Sequence, residues 1–168
     1  MDQTIFLTGF MGSGKTSVGK KLANKLEKQF YDLDRFIEEK EGKSISEIFR
    51  EIGESGFREL ESKYLRELAN QQNAVIALGG GTPCFSNNME FIKSNGISIY
   101  LKLDESILVG RLRTNKTKRP LIANKTDEEI SAFVRETLEQ REPFYDQANY
   151  VLEGNHPNAK LIVSILND

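Results

Sequence analysis

Two patterns of apolar and polar positions alternate along the chain. Continuous apolar runs rich in β-branched and aliphatic residues occur at 4–8, 74–78 and 97–103, and such runs are typical of buried strands. Between the runs, apolar residues recur every three or four positions, as Val18, Leu22 and Leu26 do, which indicates one face of a helix. This alternation predicts a three-layer α/β fold, in which helices cover both faces of a parallel sheet.

Two capping boxes mark the beginnings of helices. Ser44 with Glu47, and Thr126 with Glu129, have the spacing at which each side chain bonds the backbone N–H of the other residue. Pro143 predicts the end of the helix that follows the second box. The other predicted elements are strands at 30–34 and 149–152 and helices at 17–26, 35–41, 54–70, 88–93, 104–113 and 158–166.

The composition is that of an ordinary globular protein, with 38% hydrophobic and 29% charged residues in 168. No repeat or linker divides residues 1–168, so we expect a single domain. We also expect a monomer, because the sequence has no long exposed apolar stripe that would form an interface with a partner. The net charge of −2 gives no indication of nucleic-acid binding. Neither a membrane-spanning run nor a signal peptide is recognisable, so we expect no membrane association and a cytoplasmic location. One cysteine and one histidine argue against a disulfide and a zinc site.

Residues 9–16 fit the phosphate-binding loop pattern Gly-x-x-x-x-Gly-Lys-[Ser/Thr], and they lie between a predicted strand and a predicted helix. Glycines let successive backbone N–H groups point at phosphate oxygens, and the positive end of the helix dipole faces the same anion. Lys15 is placed to reach the β- and γ-phosphates, and the Thr16 hydroxyl to ligate Mg²⁺. The motif therefore predicts binding of a nucleoside triphosphate.

Ligands of parallel sheets bind at the carboxyl ends of the strands, so the ends of the first three predicted strands should surround one crevice. The second strand ends in Asp32 and Asp34, whose side chains, two residues apart in a strand, should project to the same side. One carboxylate could then support the water shell of the metal ion, and the other could accept a hydrogen bond from an attacking hydroxyl. The alternative is that both acids cap the following helix.

The third predicted strand ends in Gly79-Gly80-Gly81. Three glycines cost much backbone entropy unless bare backbone is needed there, so we expect close approach of a ligand, which is compatible with a tight turn. The polar segment 114–126, which carries Arg119, has little to bury and is predicted to be a mobile lid, with a solvated loop as the alternative.

Residues 124–127 match the guanine-reading motif Asn-Lys-x-Asp of GTPases. They follow a polar loop instead of a buried strand, and the chain has no Asp-x-x-Gly switch motif, so we reject the GTPase interpretation.

Taken together, these stretches resemble the shikimate kinase family of small phosphate-loop kinases, over nearly the whole chain. The stretches that carry the resemblance are 9–16, Asp32-Leu33-Asp34, Gly56-Phe57-Arg58-Glu59-Leu60-Glu61, Leu78-Gly79-Gly80-Gly81-Thr82-Pro83, Arg119-Pro120-Leu121 and Arg141-Glu142-Pro143-Phe144-Tyr145. The phosphate loop alone is shared by a superfamily, whereas the other stretches in this order are far more specific. The resemblance implies the fold of the nucleoside monophosphate kinases, with a five-stranded parallel sheet.

The resemblance also implies roles on the nucleotide side of the crevice, with ATP and Mg²⁺ as cofactors. The residues implied to hold the ATP phosphates are Gly12, Ser13, Gly14, Lys15, Thr16, Ser17 and the lid residue Arg119. Thr16 and Asp32 would hold the metal ion and its water shell. Arg113 would pack on adenine and the loop 155–158 would close its other side, although the spacing from Arg113 to Arg119 is one residue shorter than is usual in the family.

On the acceptor side, the resemblance implies shikimate as the substrate and a binding region over about 33–61. Asp34 would bind the shikimate hydroxyls and act as the base for the attacking 3-hydroxyl, so that Lys15, Asp32, Asp34 and Arg119 form the catalytic set. Arg58 and Arg141, which the sequence alone does not distinguish from surface arginines, would bind the carboxylate of shikimate. Gly79, Gly80 and Gly81 would line the acceptor, with the N–H of Gly80 donating to it.

Three functions remain open on the sequence. The first is ATP-dependent phosphorylation of the 3-hydroxyl of shikimate, a step of aromatic amino-acid biosynthesis. The second is a related small-molecule kinase, such as a gluconate kinase, because similar frameworks can change acceptor. The third is a nucleotide-binding module without catalysis.

Overall fold

The computed structural model describes residues 3–119 and 121–167. Residues 1, 2 and 168 of the predicted domain, and Pro120 of the predicted lid, lie outside the described residues.

Five parallel strands form one sheet in the order β2-β3-β1-β4-β5, as the resemblance implied. The strands are β1 (Ile5–Thr8), β2 (Gln29–Asp32), β3 (Ala74–Ala77), β4 (Ile97–Lys102) and β5 (Tyr150–Glu153). The helices are α1 (Lys15–Lys25), α2 (Leu33–Glu41), α3 (Ile45–Ala69), α4 (Asn88–Asn95), α5 (Glu105–Thr114), α6 (Asp127–Tyr145) and α7 (Ala159–Asn167). Single turns of 3₁₀ helix follow β3 at Thr82–Cys84 and α5 at Lys116–Lys118.

Alternate residues of the central strands enter two separate cores, which confirms the three-layer prediction. Ile5 and Leu7 of β1 face a core that helices α1, α5, α6 and α7 complete. Phe6, between them, faces a second core built with α2, α3 and α4. The three central strands, β3, β1 and β4, are therefore buried on both faces, and the carboxyl edge of the sheet is left as the place for a site.

Both predicted capping boxes are present, at Ser44 for α3 and at Thr126 for α6. Helix α3 contains a break at Gly53, whose φ of 69° is outside the helical range. The helix predicted to begin at Ser44 and the helix predicted at 54–70 are therefore the two parts of α3, joined by this kink. In the described residues, no helix is both long and apolar enough to span a membrane.

Two local predictions are wrong. Strand β2 ends at Asp32, and Asp34 lies in the first turn of α2, because Asp32 caps that helix by accepting a hydrogen bond from the Arg35 N–H. Helix α6 continues through Pro143 to Tyr145, although proline gives up one hydrogen bond of the helix. Ile122 of the segment 114–126 is fully buried in the core formed with α6, whereas the other residues of the segment whose side chains are described are exposed or half-buried.

Candidate active site

One cavity of about 400 Å³ lies at the carboxyl ends of β1, β2 and β3, where the sequence predicts it. The phosphate loop contributes Gly12 and 14–17, the second strand end contributes Asp32 and Asp34, and the third contributes Gly79 and Gly80. Arg111, Asn115 and Arg119 close the cavity from the side of α5 and the segment after it. The three strand ends therefore share one crevice, as adjacent strands of a parallel sheet require.

The phosphate loop has the backbone geometry of an anion cradle. Gly12 and Gly14 have φ values of 80° and 93°, which residues with side chains rarely adopt, and Gly14 is the N-cap of α1. The Lys15 ammonium donates to the carbonyl oxygens of Gly9 at 2.7 Å and Phe10 at 2.9 Å, so its side chain lies across the mouth of the loop. An anion in the cradle would meet both the ammonium and the loop N–H groups.

Burial lowers the pKa of Lys15 to about 8, against the opposing influence of the Asp34 and Asp32 carboxylates. At neutral pH the side chain is therefore still a cation, although one that has lost much of its water. A poorly hydrated ammonium is a strong electrostatic partner for phosphate oxygens.

Asp32 joins the loop to α2 through two hydrogen bonds. Its Oδ2 accepts from the Thr16 hydroxyl at 2.7 Å, and its Oδ1 accepts from the Arg35 N–H at 3.3 Å. The two interpretations of Asp32 from the sequence, metal support and helix cap, are thus compatible in one side chain. Adjacent hydroxyl and carboxylate oxygens are the hard donors that Mg²⁺ prefers, so this pair fits the ion.

Asp34 is a buried carboxylate with a pKa raised to about 6. Burial is the main cause, and the negative charges of Glu61 and Asp32 add to it, while Lys15 opposes it. A carboxylate with a pKa of about 6 is still mostly ionised at neutral pH and is a stronger base than an ordinary aspartate. Asp34 reaches the crevice from the first turn of α2, and not from the strand end as we expected.

Arg58 is held by a buried acid that the sequence analysis gave no role. Its Nη1 donates to Oε1 of Glu61 at 2.9 Å, and Glu61, whose side chain is 1% exposed, also accepts from the Thr82 hydroxyl at 2.8 Å. The Arg58 guanidinium also lies over the Phe85 ring, 4.1 Å from its centroid. The arginine is therefore fixed between α3 and the turn after β3 before any ligand arrives.

Arg141 approaches the same turn from α6. A Cβ atom at Gly80 would lie 2.9 Å from Nη1 of Arg141, so the arginine rests directly on bare backbone. One helical turn later, the hydroxyl of fully buried Tyr145 donates to the carbonyl of Gly80. Residues that are 83 positions apart in the chain, Arg58 and Arg141, are thus brought to one glycine turn.

The two other predicted arginines have different surroundings. Arg119 lines the crevice, and its buried Nε has no hydrogen-bond partner among the described residues. Arg113 does not line the crevice: its side chain is 44% exposed, and its Nε lies 3.7 Å from the carboxylate of Asp127. The adenine-packing role of Arg113 stays a prediction.

Several residues of the site have no role predicted from the sequence, among them Glu61, Arg111, Asn115 and Tyr145. The spacing of Arg58 and Glu61, three residues apart in a predicted helix, could have indicated the first of them. Nothing in the local pattern distinguishes Arg111 from Arg113, or Tyr145 from an ordinary core tyrosine.

Comparison with known proteins agrees with this geometry. The family model described as shikimate kinase matches residues 11–168. The shikimate kinase of Bacteroides thetaiotaomicron is 48% identical over 151 residues, which cover 90% of this chain and 86% of the relative.

Two solved structures are similar over nearly the whole chain. A crystal structure of shikimate kinase from Bacteroides thetaiotaomicron has a TM-score of 0.96 at 41% identity and covers 100% of both chains. Shikimate kinase from Acinetobacter baumannii, solved in complex with shikimate, has a TM-score of 0.88 at 37% identity and covers 99% of this chain and 92% of that one. The sequence, the fold and the arrangement of the crevice lead to one conclusion: the chain belongs to the shikimate kinase family.

Proposed function

We propose that this chain transfers the γ-phosphoryl group of ATP to the 3-hydroxyl of shikimate, giving shikimate 3-phosphate and ADP. One observation carries the proposal beyond family membership. A single crevice joins the phosphate loop to a carboxylate with a raised pKa, Asp34, beside a glycine turn that seats Arg58 and Arg141. The phosphate loop suits a nucleotide. Asp34 and the two arginines suit an acceptor that carries both a carboxylate and hydroxyl groups.

The acceptor is held by its carboxylate in this proposal. Two guanidinium groups on one turn offer planar pairs of donors, which match the geometry of a carboxylate better than an ammonium would. Arg58 is already positioned by Glu61, so it binds with little loss of side-chain entropy. The N–H of Gly80 adds a donor from the backbone. The relative from Acinetobacter baumannii was solved with shikimate bound, which supports the choice of acceptor.

Asp34 accepts the proton of the 3-hydroxyl as the oxygen of that hydroxyl attacks the γ-phosphorus. The bond from the γ-phosphorus to the bridging oxygen breaks, and ADP leaves with the electron pair of that bond. Lys15, Arg119 and the N–H groups of the loop neutralise the phosphate oxygens during the transfer. The protein thus supplies position and charge, which is most of what phosphoryl transfer needs.

Mg²⁺ would be held by the Thr16 hydroxyl, with Asp32 supporting its water shell. When bound, the ion neutralises charge on the β- and γ-phosphates. Because a hydroxyl would ligate the ion through an oxygen lone pair, Thr16 would still donate its proton to Asp32, which also keeps its cap on α2.

The segment 114–126 acts as a lid within a single domain in this proposal. Arg119 would reach the phosphates on closure, and exclusion of water would protect the γ-phosphate from hydrolysis. Hydrogen exchange tests the lid, because its amides should exchange more slowly with ADP and shikimate bound than without ligands. Equal exchange in both states would contradict it.

The function is tested by ADP release from Mg-ATP, with shikimate and gluconate as parallel acceptors. We expect saturable turnover with shikimate and none above background with gluconate. Turnover with gluconate would favour the related kinase, and nucleotide binding without turnover would favour the non-catalytic module. We further propose that the protein is cytoplasmic and that it is a monomer. Sedimentation at assay concentration tests the oligomeric state.

A further inference from the structure

Hydrogen bonds among the described residues fix only one end of the Arg58 guanidinium. Its Nη1 donates to Glu61, whereas its buried Nε has no hydrogen-bond partner there, and the nearby Glu54 carboxylate lies 3.7 Å away. A planar group held by a single hydrogen bond can still tilt about that bond. Because a carboxylate is gripped by two N–H donors in one plane, the grip depends on a further contact that prevents tilting.

The Phe85 ring makes such a contact. The central carbon of the Arg58 guanidinium lies 4.1 Å from the centroid of this ring, a distance at which the group stacks on an aromatic face. The ring of Phe57 is farther from the same carbon, at 5.3 Å. The Arg58 side chain is 13% exposed, so little water screens its attraction to the Phe85 ring, and the stacked face opposes tilting.

The backbone around Phe85 holds the ring in this place. Ser86 and Asn87, which follow it, have φ values of 52° and 53°, a conformation that residues with side chains rarely adopt. Asn88 then closes the turn, because its N–H donates to the Phe85 carbonyl at 2.9 Å. The fully buried side chain of Asn88 also donates to the Thr82 carbonyl at 2.9 Å, which ties the residues after Phe85 to those before it. Such backbone strain persists only where neighbouring contacts enforce it, and it clusters at functional sites.

We propose that Phe85 is a positioning residue for the acceptor, whose ring keeps the Arg58 guanidinium in the plane that grips the acceptor's carboxylate. Phe85 acts on the acceptor only through Arg58. Its effect should therefore fall on acceptor binding and leave binding of the nucleotide, which the phosphate loop holds, unchanged. The proposal rests on the proposed function in taking shikimate as the acceptor.

The first test is steady-state kinetics of Phe85→Leu, which keeps an apolar side chain and removes the aromatic face. We expect the KM for shikimate to rise about threefold to tenfold with kcat nearly unchanged, and the KM for ATP to stay within about twofold, as for loss of a cation–π contact at the acceptor. Phe85→Tyr keeps the face and should restore wild-type values. Phe91→Leu is the matched control, because the Phe91 ring lies 4.6 Å from the guanidinium carbon of another arginine, Arg66, and both constants should stay nearly unchanged.

A double-mutant cycle tests whether Phe85 acts through Arg58. In the Arg58→Ala background, Phe85→Leu should leave kcat/KM for shikimate unchanged, because the stacked partner is already gone. A further loss as large as in the wild-type background would overturn the proposal, as would an unchanged KM for shikimate in Phe85→Leu alone. Phe85→Met replaces Phe85→Leu throughout if the leucine variant does not fold.

The NMR signal of the Arg58 Nε–H reports on the stacking without any acceptor. The ring current of Phe85 shifts this signal, so it should move in Phe85→Leu and stay in place in Phe91→Leu. A signal that does not move in Phe85→Leu would overturn the proposal whatever the acceptor is. Absence of shikimate turnover in the wild type would contradict the proposed function instead, and the signal would still decide whether the ring holds Arg58.

Discussion

The guanidinium of Arg58 fills the space that a side chain on Gly81 would need, since a Cβ atom there would lie 2.6 Å from Nη2. The neighbouring glycines seat other groups in the same way. A Cβ atom at Gly80 would lie 2.9 Å from Nη1 of Arg141, and one at Gly79 would lie 3.0 Å from Oδ1 of Asp34. The absence of side chains at the three glycines therefore leaves room for the three charged groups of the proposed acceptor site, in addition to allowing a turn.

Replacing Gly81 by alanine should displace Arg58 without straining the backbone, because Gly81 has an ordinary φ of −91°. The flexible end of the arginine will move before the turn does. We expect the KM for shikimate to rise about tenfold, as for loss of a charge-assisted pair, and the KM for ATP to stay within about twofold.

Gly110→Ala is the matched control for that experiment, since nothing lies within 4 Å of a Cβ atom there and alanine favours the helix. If Gly81→Ala raises the KM for ATP as much as the KM for shikimate, the glycine does not serve to make room for Arg58.

Asp34→Asn removes the proposed base and keeps the shape of the side chain. We expect kcat to fall by a factor on the order of 10² or more, while the Kd for ATP stays nearly unchanged, because asparagine cannot accept the proton. A steady-state assay of ADP release measures kcat, and calorimetric titration with ATP measures the Kd.

Stability gives an internal check on the Asp34→Asn variant. Because the pKa of Asp34 is raised from 3.8 to about 6, its favourable contribution is complete below about pH 4 and is lost as the pH rises through 6. The ionised group costs the fold about 2–3 kcal/mol at neutral pH, so the variant should unfold at pH 7 no more easily than the wild type. A lower Tm together with low kcat would assign the loss of activity to damage of the fold.

The pH dependence of kcat/KM for ATP should be bell-shaped. Below about pH 6 the Asp34 carboxyl is protonated and no longer accepts a proton, and above about pH 8 the Lys15 ammonium loses its charge. Activity should therefore be greatest between the two values and fall on either side. A profile that stays flat from pH 5 to pH 9 would remove both groups from the account.

Tyr145→Phe deletes the hydroxyl that holds the Gly80 carbonyl and leaves the aromatic packing against Tyr100 intact. One neutral hydrogen bond contributes about 0.5–1.5 kcal/mol, so we expect the KM for shikimate to rise about threefold to tenfold with little change in the KM for ATP. Tyr100→Phe removes a hydroxyl from the same aromatic pair and serves as the control. If the two variants behave alike, Tyr145 has only a packing role.

The fold was predictable because its signals are local. The three apolar runs, the phosphate loop and both capping boxes each lie within a few consecutive residues, and all of them appear where the patterns placed them. The shared crevice then followed from a general rule of parallel sheets.

The errors have a different origin, because each depends on contacts with distant parts of the chain. Leu33 is buried as the first residue of α2, and an apolar residue at this position also fits a continuing strand, so the sequence around it did not show that Asp34 belongs to α2. A lone apolar residue in a polar loop, such as Ile122, has no periodicity that would reveal its burial.

The most direct test of the central claim is identification of the product by phosphorus–proton correlation NMR after incubation with Mg-ATP and shikimate. The account predicts one new phosphate ester, coupled to the proton on carbon 3 of shikimate, and one ADP for each ester formed. An ester on another hydroxyl would contradict the placement of Asp34 beside the 3-hydroxyl. ADP without any ester would contradict phosphoryl transfer to shikimate altogether.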